Sequence, residues 1–184
     1  RAEAWLVRGM VGQNEGVHRN AIGEDPTPAW RTAEADLTRA LECDPSSARA
    51  WAFRGHVRSN LGNVSIRAGG DAAPPYTLAE ADYTEAIRLD PTLITARTGR
   101  VSVRTGLGID AAAKGTDPTA WFTAAEEDAS AVQEMNPDSA EGWVRRGNLC
   151  SAWGSSIAEA GGDPTAQYTQ ALEHYGRALE RDVE

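Results

Sequence analysis

Lysine is nearly missing from this chain: among 184 residues Lys114 stands alone beside seventeen arginines, a bias that reads as gene base composition more than mechanism. A phosphate-cradling loop needs a lysine next to its glycines, and the pairs Gly69-Gly70 and Gly161-Gly162 have none. Cysteine is almost as scarce. Cys43 and Cys150 lie far apart, neither in a metal-ligand spacing, and both read as small core or groove residues rather than a bridge. No apolar run approaches the length that spans a bilayer. Nothing at the amino end resembles a signal peptide, although a start at Arg1 leaves a trimmed end open. Positive charge is also lacking, since the net charge of −9 opposes a nucleic-acid partner, which requires a cationic face.

What the chain does have is a repeat. Laid on itself at an offset of 46, it aligns Trp5, Trp51 and Trp143, then Arg8, Arg54, Arg100 and Arg146, then Gly16, Gly62, Gly108 and Gly154. Gly23, Gly69, Gly115 and Gly161 follow, with Asp25, Asp71, Asp117 and Asp163 behind them. An aromatic recurs as Trp30, Tyr76, Phe122 and Tyr168, and an alanine as Ala33, Ala79, Ala125 and Ala171. The register is unbroken, which divides the chain into copies at 1–46, 47–92, 93–138 and 139–184.

Each copy reads as two helices. Helix A runs without proline from Ala2 to Ile22 in the first copy, and Val11, Val57, Val103 and Leu149 mark one apolar line along it. The glycine at 23 and its equivalents sits where a left-handed helix terminus belongs. Asp25-Pro26, Asp117-Pro118 and Asp163-Pro164 then read as N-cap and first helical residue. In the second copy Pro75 disfavours helical geometry at Pro74, so that helix B is expected to begin later. Helix B stops at Asp44-Pro45, Asp90-Pro91 and Asn136-Pro137. A mid-helix glycine costs about 1 kcal/mol relative to alanine, so its recurrence at 16, 62, 108 and 154 implies close packing or a bend. Such hairpins bury their faces only by stacking.

These residues resemble the tetratricopeptide (TPR) pattern of W, G, A, F/Y, A and P. Trp51, Gly55, Ala79, Tyr83, Ala86 and Pro91 give it most fully; Trp5, Gly9, Ala33, Leu37, Ala40 and Pro45, and Trp143, Gly147, Ala171, Tyr175 and Ala178, give it in part. The third copy departs, with Arg97 and Val101 where Trp and Gly would stand. The resemblance implies an all-α, right-handed αα-solenoid of four helical hairpins, eight helices in all. The family unit has about 34 residues, so twelve are added here between Gly16 and Ala33, lengthening each hairpin by about 9 Å. The aromatic at 30, 76, 122 and 168 is expected to fill the added tip. This long form resembles arrays attached to bacterial serine/threonine kinases. Arg8, Arg54 and Arg100 are expected to pair with Asp36, Asp82 and Asp128 inside each hairpin, and Arg146 to face His174.

No catalytic constellation is found and no cofactor or metal is expected. His18, His56 and His174 fall at three different repeat positions, and capping explains the loop aspartates without calcium. The sequon Asn63-Val64-Ser65 occurs in one copy only. The resemblance places the concave surface on helix A, with groove candidates Gln13, Asn14, Arg49, His56, Asn60 and Asn148 that could hydrogen-bond an extended peptide. The Lys/Asn clamp by which some family members hold a terminal carboxylate is missing. The chain opens in helix A and closes at the end of a helix B, leaving Tyr175, Ala178 and Leu179 without a covering helix. Two readings stand: a non-catalytic scaffold for a protein or peptide, part of a longer array, or a subunit that stacks on further copies of itself into a helical filament.

Overall fold

The computed structural model describes residues 1–181 and is all-α. Among these residues there are eight helices: α1 (Ala2–Ala21), α2 (Thr27–Cys43), α3 (Ala48–Arg67), α4 (Ala73–Leu89), α5 (Ile94–Ala113), α6 (Thr119–Met135), α7 (Ala140–Glu159) and α8 (Thr165–Arg181). Equivalent helices begin at the same 46-residue interval and have equal lengths, 20 residues for each helix A and 17 for each helix B. A helix A of that length is roughly 30 Å long.

The four loops between A and B are built alike. Gly23, Gly69, Gly115 and Gly161 all take positive φ, between 73° and 80°. The amide of each glycine turns back to a carbonyl in the last turn, and so does that of the residue after it, as in Gly23 N to Asn20 O and Glu24 N to Arg19 O. Nothing surrounds the Cβ position at these four sites, so conformation and not space demands glycine there. The aspartate two residues on accepts a backbone hydrogen bond from the start of helix B, at 2.9 Å from Thr27, Ala73, Thr119 and Thr165. The hydroxyl of Thr27, Thr119 or Thr165 first, and this backbone bond second, hold the carboxyls of Asp25, Asp117 and Asp163 below the usual range. At the helix A starts, Ser47 Oγ accepts from Ala50 N and Ser139 Oγ from Gly142 N.

The delayed start expected for the second helix B is overturned. α4 begins at Ala73, in register with its equivalents, and Pro74 and Pro75 both lie inside its first turn. First-turn amides have no intrahelical acceptor, so two prolines there remove no hydrogen bond.

The chain divides into two compact units, Arg1–Gly99 and Arg100–Glu184, with the division inside α5. In the first, α1 packs on α2, α3 on α4, and α2 on α3. Its core joins Leu6, Trp30, Ala33, Leu37, Ala40 and Leu41 of the first hairpin to Ala50, Val57 and Leu61 of α3. In the second, α6 packs on α7 and α7 on α8, around Val101, Phe122, Ala125, Ala129 and Leu149. Ala33, Ala79, Ala125 and Ala171 are buried in all four hairpins, as expected of a small residue where two helices approach closely.

Candidate binding surface

Three kinds of residue pair set the hairpins. The first joins the mid-helix glycine to the tip aromatic. A Cβ added to Gly16, Gly62, Gly108 or Gly154 would come under 3.0 Å from the ring of Trp30, Tyr76, Phe122 or Tyr168 respectively. The ring fills the volume the glycine leaves, which explains why both recur. Trp30, Tyr76 and Phe122 are buried, whereas Tyr168 keeps 37% of its surface exposed.

The second pair lies nearer the open end. Gly9, Gly55 and Gly147 receive Leu37, Tyr83 and Tyr175 in the same manner. In the third copy both sizes are exchanged: Val101 replaces the glycine and Ala129 replaces the large residue, and both lie in one core cluster. The third copy's other departure is also compensated. Trp51 Nε1 donates to Pro45 O at 2.8 Å, and Arg97 Nε, at the equivalent position, donates to Pro91 O at 3.2 Å.

The third pair is ionic. Arg8, Arg54 and Arg100 each donate through two nitrogens to Asp36, Asp82 and Asp128, at 2.6, 3.0 and 2.7 Å from Nε. Arg58 and Arg104 add a second guanidinium to Asp82 and Asp128. Arg58 also reaches back to Glu34 at 2.8 Å, tying α3 to α2. The expected Arg146–His174 contact is replaced. Arg146 donates to Glu126 of α6, through Nε at 3.0 Å and through a second nitrogen. Glu126 is open to it because Cys150 stands where Arg58 stands in the second copy. His174 is buried with Nδ1 unpaired, tilted against the Trp143 ring, and its pKa is lowered by burial and by the Arg146 charge. Arginines also lie over the periodic indoles, Arg8 and Arg39 over Trp5, Arg54 over Trp51, and Arg146 and Arg177 over Trp143.

The groove candidates separate by burial. Asn14, Arg49, His56 and Asn148 are exposed, Asn60 is half-buried, and Gln13 is buried. The main chain of Gln13 matters more than its side chain, its carbonyl accepting from Trp30 Nε1. In the first unit Arg49 meets Met10 Sδ at 3.8 Å, which brings the α1 and α3 faces together. His56 is exposed on α3, and burial among its neighbours lowers its pKa. One turn on, Asn60 Nδ2 is shielded and has no hydrogen-bond partner. In the second unit Asn148 Oδ1 accepts from the Tyr175 hydroxyl at 2.7 Å, which commits it to the hairpin. Both cysteines are free, Cys43 exposed and Cys150 buried, and burial pushes the Cys150 thiol up to about 11. Among the described residues no group of His, Cys, Asp and Glu could hold a metal ion. No helix among them is long and apolar enough to cross a membrane.

This geometry is that of known helical-repeat structures. The Arabidopsis OM64 TPR domain superposes with a TM-score of 0.53 at 16% identity, covering 79% of this chain and 96% of that one. The first TPR of Spaghetti (RPAP3), bound to an HSP90 peptide, gives 0.53 at 16% identity over 79% and 93%. TTC0263, a thermophilic TPR protein of Thermus thermophilus, gives 0.52 at 15% identity over 94% and 91%. The fold is the tetratricopeptide fold. No protein-family model matches the sequence, and no curated protein does. The TPR likeness is therefore one of architecture, carried by the hairpin pairs and not by extended sequence similarity.

Proposed function

We propose that this chain is a non-catalytic scaffold whose helix A face holds an extended segment of a partner protein. The observation that carries the reading is Asn60, a shielded amide donor without a partner on the α3 face, one turn from His56. A buried donor left unpaired costs on the order of 1–3 kcal/mol, so a partner segment toward which the Asn60 side chain turns its amide recovers that cost through a peptide carbonyl. Asn14, Arg49 and His56 supply further exposed polar groups around it. The Spaghetti structure contains a bound peptide, and the shared fold supports the same kind of use here. The sole lysine, Lys114, lies near the far end of α5, away from the positions of the Lys/Asn clamp. Four hairpins at 1–46, 47–92, 93–138 and 139–184, lengthened as in arrays attached to bacterial serine/threonine kinases, suit the assembly of signalling proteins.

The test is a random peptide library selected on the folded chain, followed by calorimetric titration of the selected peptides. Asn60→Ala and His56→Ala are expected to weaken binding at least tenfold, and Leu78→Ser, an exposed position on α4, to leave it unchanged. Peptides that bind equally to all variants, or no selection at all, reject the groove.

A second reading, end-to-end assembly into a filament, is favoured by one feature of α8. Leu172 and Leu179 are 71% and 68% exposed. Electron microscopy of the concentrated chain separates filaments from discrete particles.

A further inference from the structure

The first unit carries a pocket that the helix A groove does not use. It opens between the N-terminal halves of α2 and α4, with α3 as its floor, and encloses about 270 Å³. Leu61 and Val64 of α3 and Pro74, Pro75 and Leu78 of α4 give it an apolar lining. By helical periodicity, Arg58 and Ser65 on its floor lie on the side of α3 away from His56 and Asn60.

Of the charges around it, most are already paired. Arg58 donates to Glu34 and to Asp82, each at 2.8 Å. Arg31, at the rim, approaches Glu34 only to 3.5 Å and keeps 68% of its side chain exposed. An anionic group arriving at the rim therefore meets a cation with little to lose.

The second unit holds a ring at the equivalent level. Trp153 takes the Leu61 position on α7, and its indole stacks on Phe122 with centroids 5.5 Å and planes 7° apart. Phe122 is smaller than Trp30, its equivalent, which accounts for part of the added bulk. The indole is still only half-buried, so the rest extends outward, to the side on which the first unit has its pocket. The other lining positions change with it. Arg31, Arg58, Pro74, Pro75 and Leu78 give way to Thr123, Cys150, Ala166, Gln167 and Gln170. Cys150 donates to Gln170 Oε1 at 3.9 Å, joining α7 to α8 there. The rim cation and the apolar wall are present where the chain supplies no ring, and absent where it supplies one.

We infer that the pocket receives one aromatic side chain of a partner protein, whose neighbouring acidic residue is set against Arg31. The volume is below the roughly 300–1,000 Å³ of small-molecule and cofactor sites, and suits a single side chain. Pro74 and Pro75 have no backbone N–H, so a ring packed on that wall strands no donor. Rings seated in such desolvated pockets are the usual anchors of protein interfaces.

The test is an amide-resolved NMR titration of the full chain with the capped dipeptide acetyl-Trp-Asp-amide, then with acetyl-Ala-Asp-amide and acetyl-Trp-Asn-amide. The first is expected to give saturable shifts at Leu61, Val64, Ser65 and Leu78, and acetyl-Ala-Asp-amide none. Acetyl-Trp-Asn-amide is expected to bind about two- to fivefold more weakly, the worth of one exposed ion pair. Arg31→Ala should remove that difference. Leu61→Trp supplies the chain's own ring, as α7 does, and should abolish the shifts. Leu78→Ser, which spares the helix A groove, should abolish them without altering the buried floor. Shifts centred on His56 and Asn60, equal shifts with acetyl-Ala-Asp-amide, or no saturable shift at all overturns the inference. So does a response undiminished in both Leu61→Trp and Leu78→Ser, or an aspartate preference that survives Arg31→Ala.

Discussion

The α3–α4 and α7–α8 hairpins are made from the same parts. Each has a tryptophan and an arginine three residues on, a Gly–Tyr pair near the open end and another near the tip: Gly55–Tyr83 and Gly62–Tyr76 in one, Gly147–Tyr175 and Gly154–Tyr168 in the other. Their surroundings differ. Tyr83 and Tyr76 are buried, and burial raises the pKa of both phenols, whereas Tyr168 and Leu179 face solvent. Gly99 at the start of α5 lies directly against the Tyr83 ring. The pairs inside a hairpin thus set its geometry, and the neighbour sets what that geometry buries. The ionic pair marks the same divide, with Asp82 holding two arginines where His174 holds none.

The sharpest way to break this comparison is to remove the acid. Asp82→Ala takes from Arg54 its carboxylate and leaves Arg58 with Glu34 alone, both guanidiniums being mostly buried, and is expected to cost about 3–5 kcal/mol in urea unfolding. His174→Ala is expected to cost under about 2 kcal/mol. Equal losses would mean that the ion cluster has no special place in the second hairpin.

Next come the tip rings. Tyr76→Ala removes a buried ring whose hydroxyl donates to Asn63 at 2.6 Å, and is expected to cost about 3 kcal/mol, against about half that for Tyr168→Ala. Amide exchange at the two tips reports each separately, and a larger loss at Tyr168 would refute burial by neighbours. A smaller coupling is expected in the third hairpin. Val101→Gly opens a void and Ala129→Tyr creates a clash, but the double variant rebuilds the pair found in the second and fourth copies. A cycle should return about 0.5–3 kcal/mol of favourable coupling, and additive losses would deny that the sizes are matched.

The smallest effect is that of pH. His56 and His174 have pKa values lowered from 6.5 by burial, so the unfolded chain takes up protons first as pH falls. The stability they allow is fully present above about 6.5 and is lost as pH drops through the lower folded values. His174→Gln should flatten the acid limb of a stability–pH curve and protect α8 amides. An unchanged limb would place the proton uptake elsewhere.

Much of this architecture is legible in the residues. Register, helix ends and the tip aromatics follow from periodic Gly, Asp and Pro, because capping and left-handed termini are local chemistry. The three Arg–Asp pairs were also readable, since their spacing repeats. Pro74-Pro75 is an exception, because the steric bias before a proline is a preference and the Pro74 ring already fixes φ near the helical value in the first turn. The partner of Arg146 is not legible in the spacing, because it depends on a third residue, Cys150, at the contact of α6 with α7. The link between Gly16 and Trp30 could have been drawn from their joint recurrence. The burial of Gln13 and the unpaired Asn60 donor had no signal in the sequence, because each depends on packing between helices.

The exchanged sizes at Val101 and Ala129 bear on how such an array can be recombined. A crossover between two hairpins carries both members of each such pair. One that falls inside a hairpin separates them: helix A of the second copy joined to helix B of the third sets Gly55 over Ala129, a void, and the reciprocal splice drives Val101 into Tyr83. Shuffling of this chain, by gene conversion or at the bench, therefore has permitted breakpoints in the B-to-A loops, as at Asp44-Pro45, Asp90-Pro91 and Asn136-Pro137, and forbidden ones around the glycine of each hairpin turn.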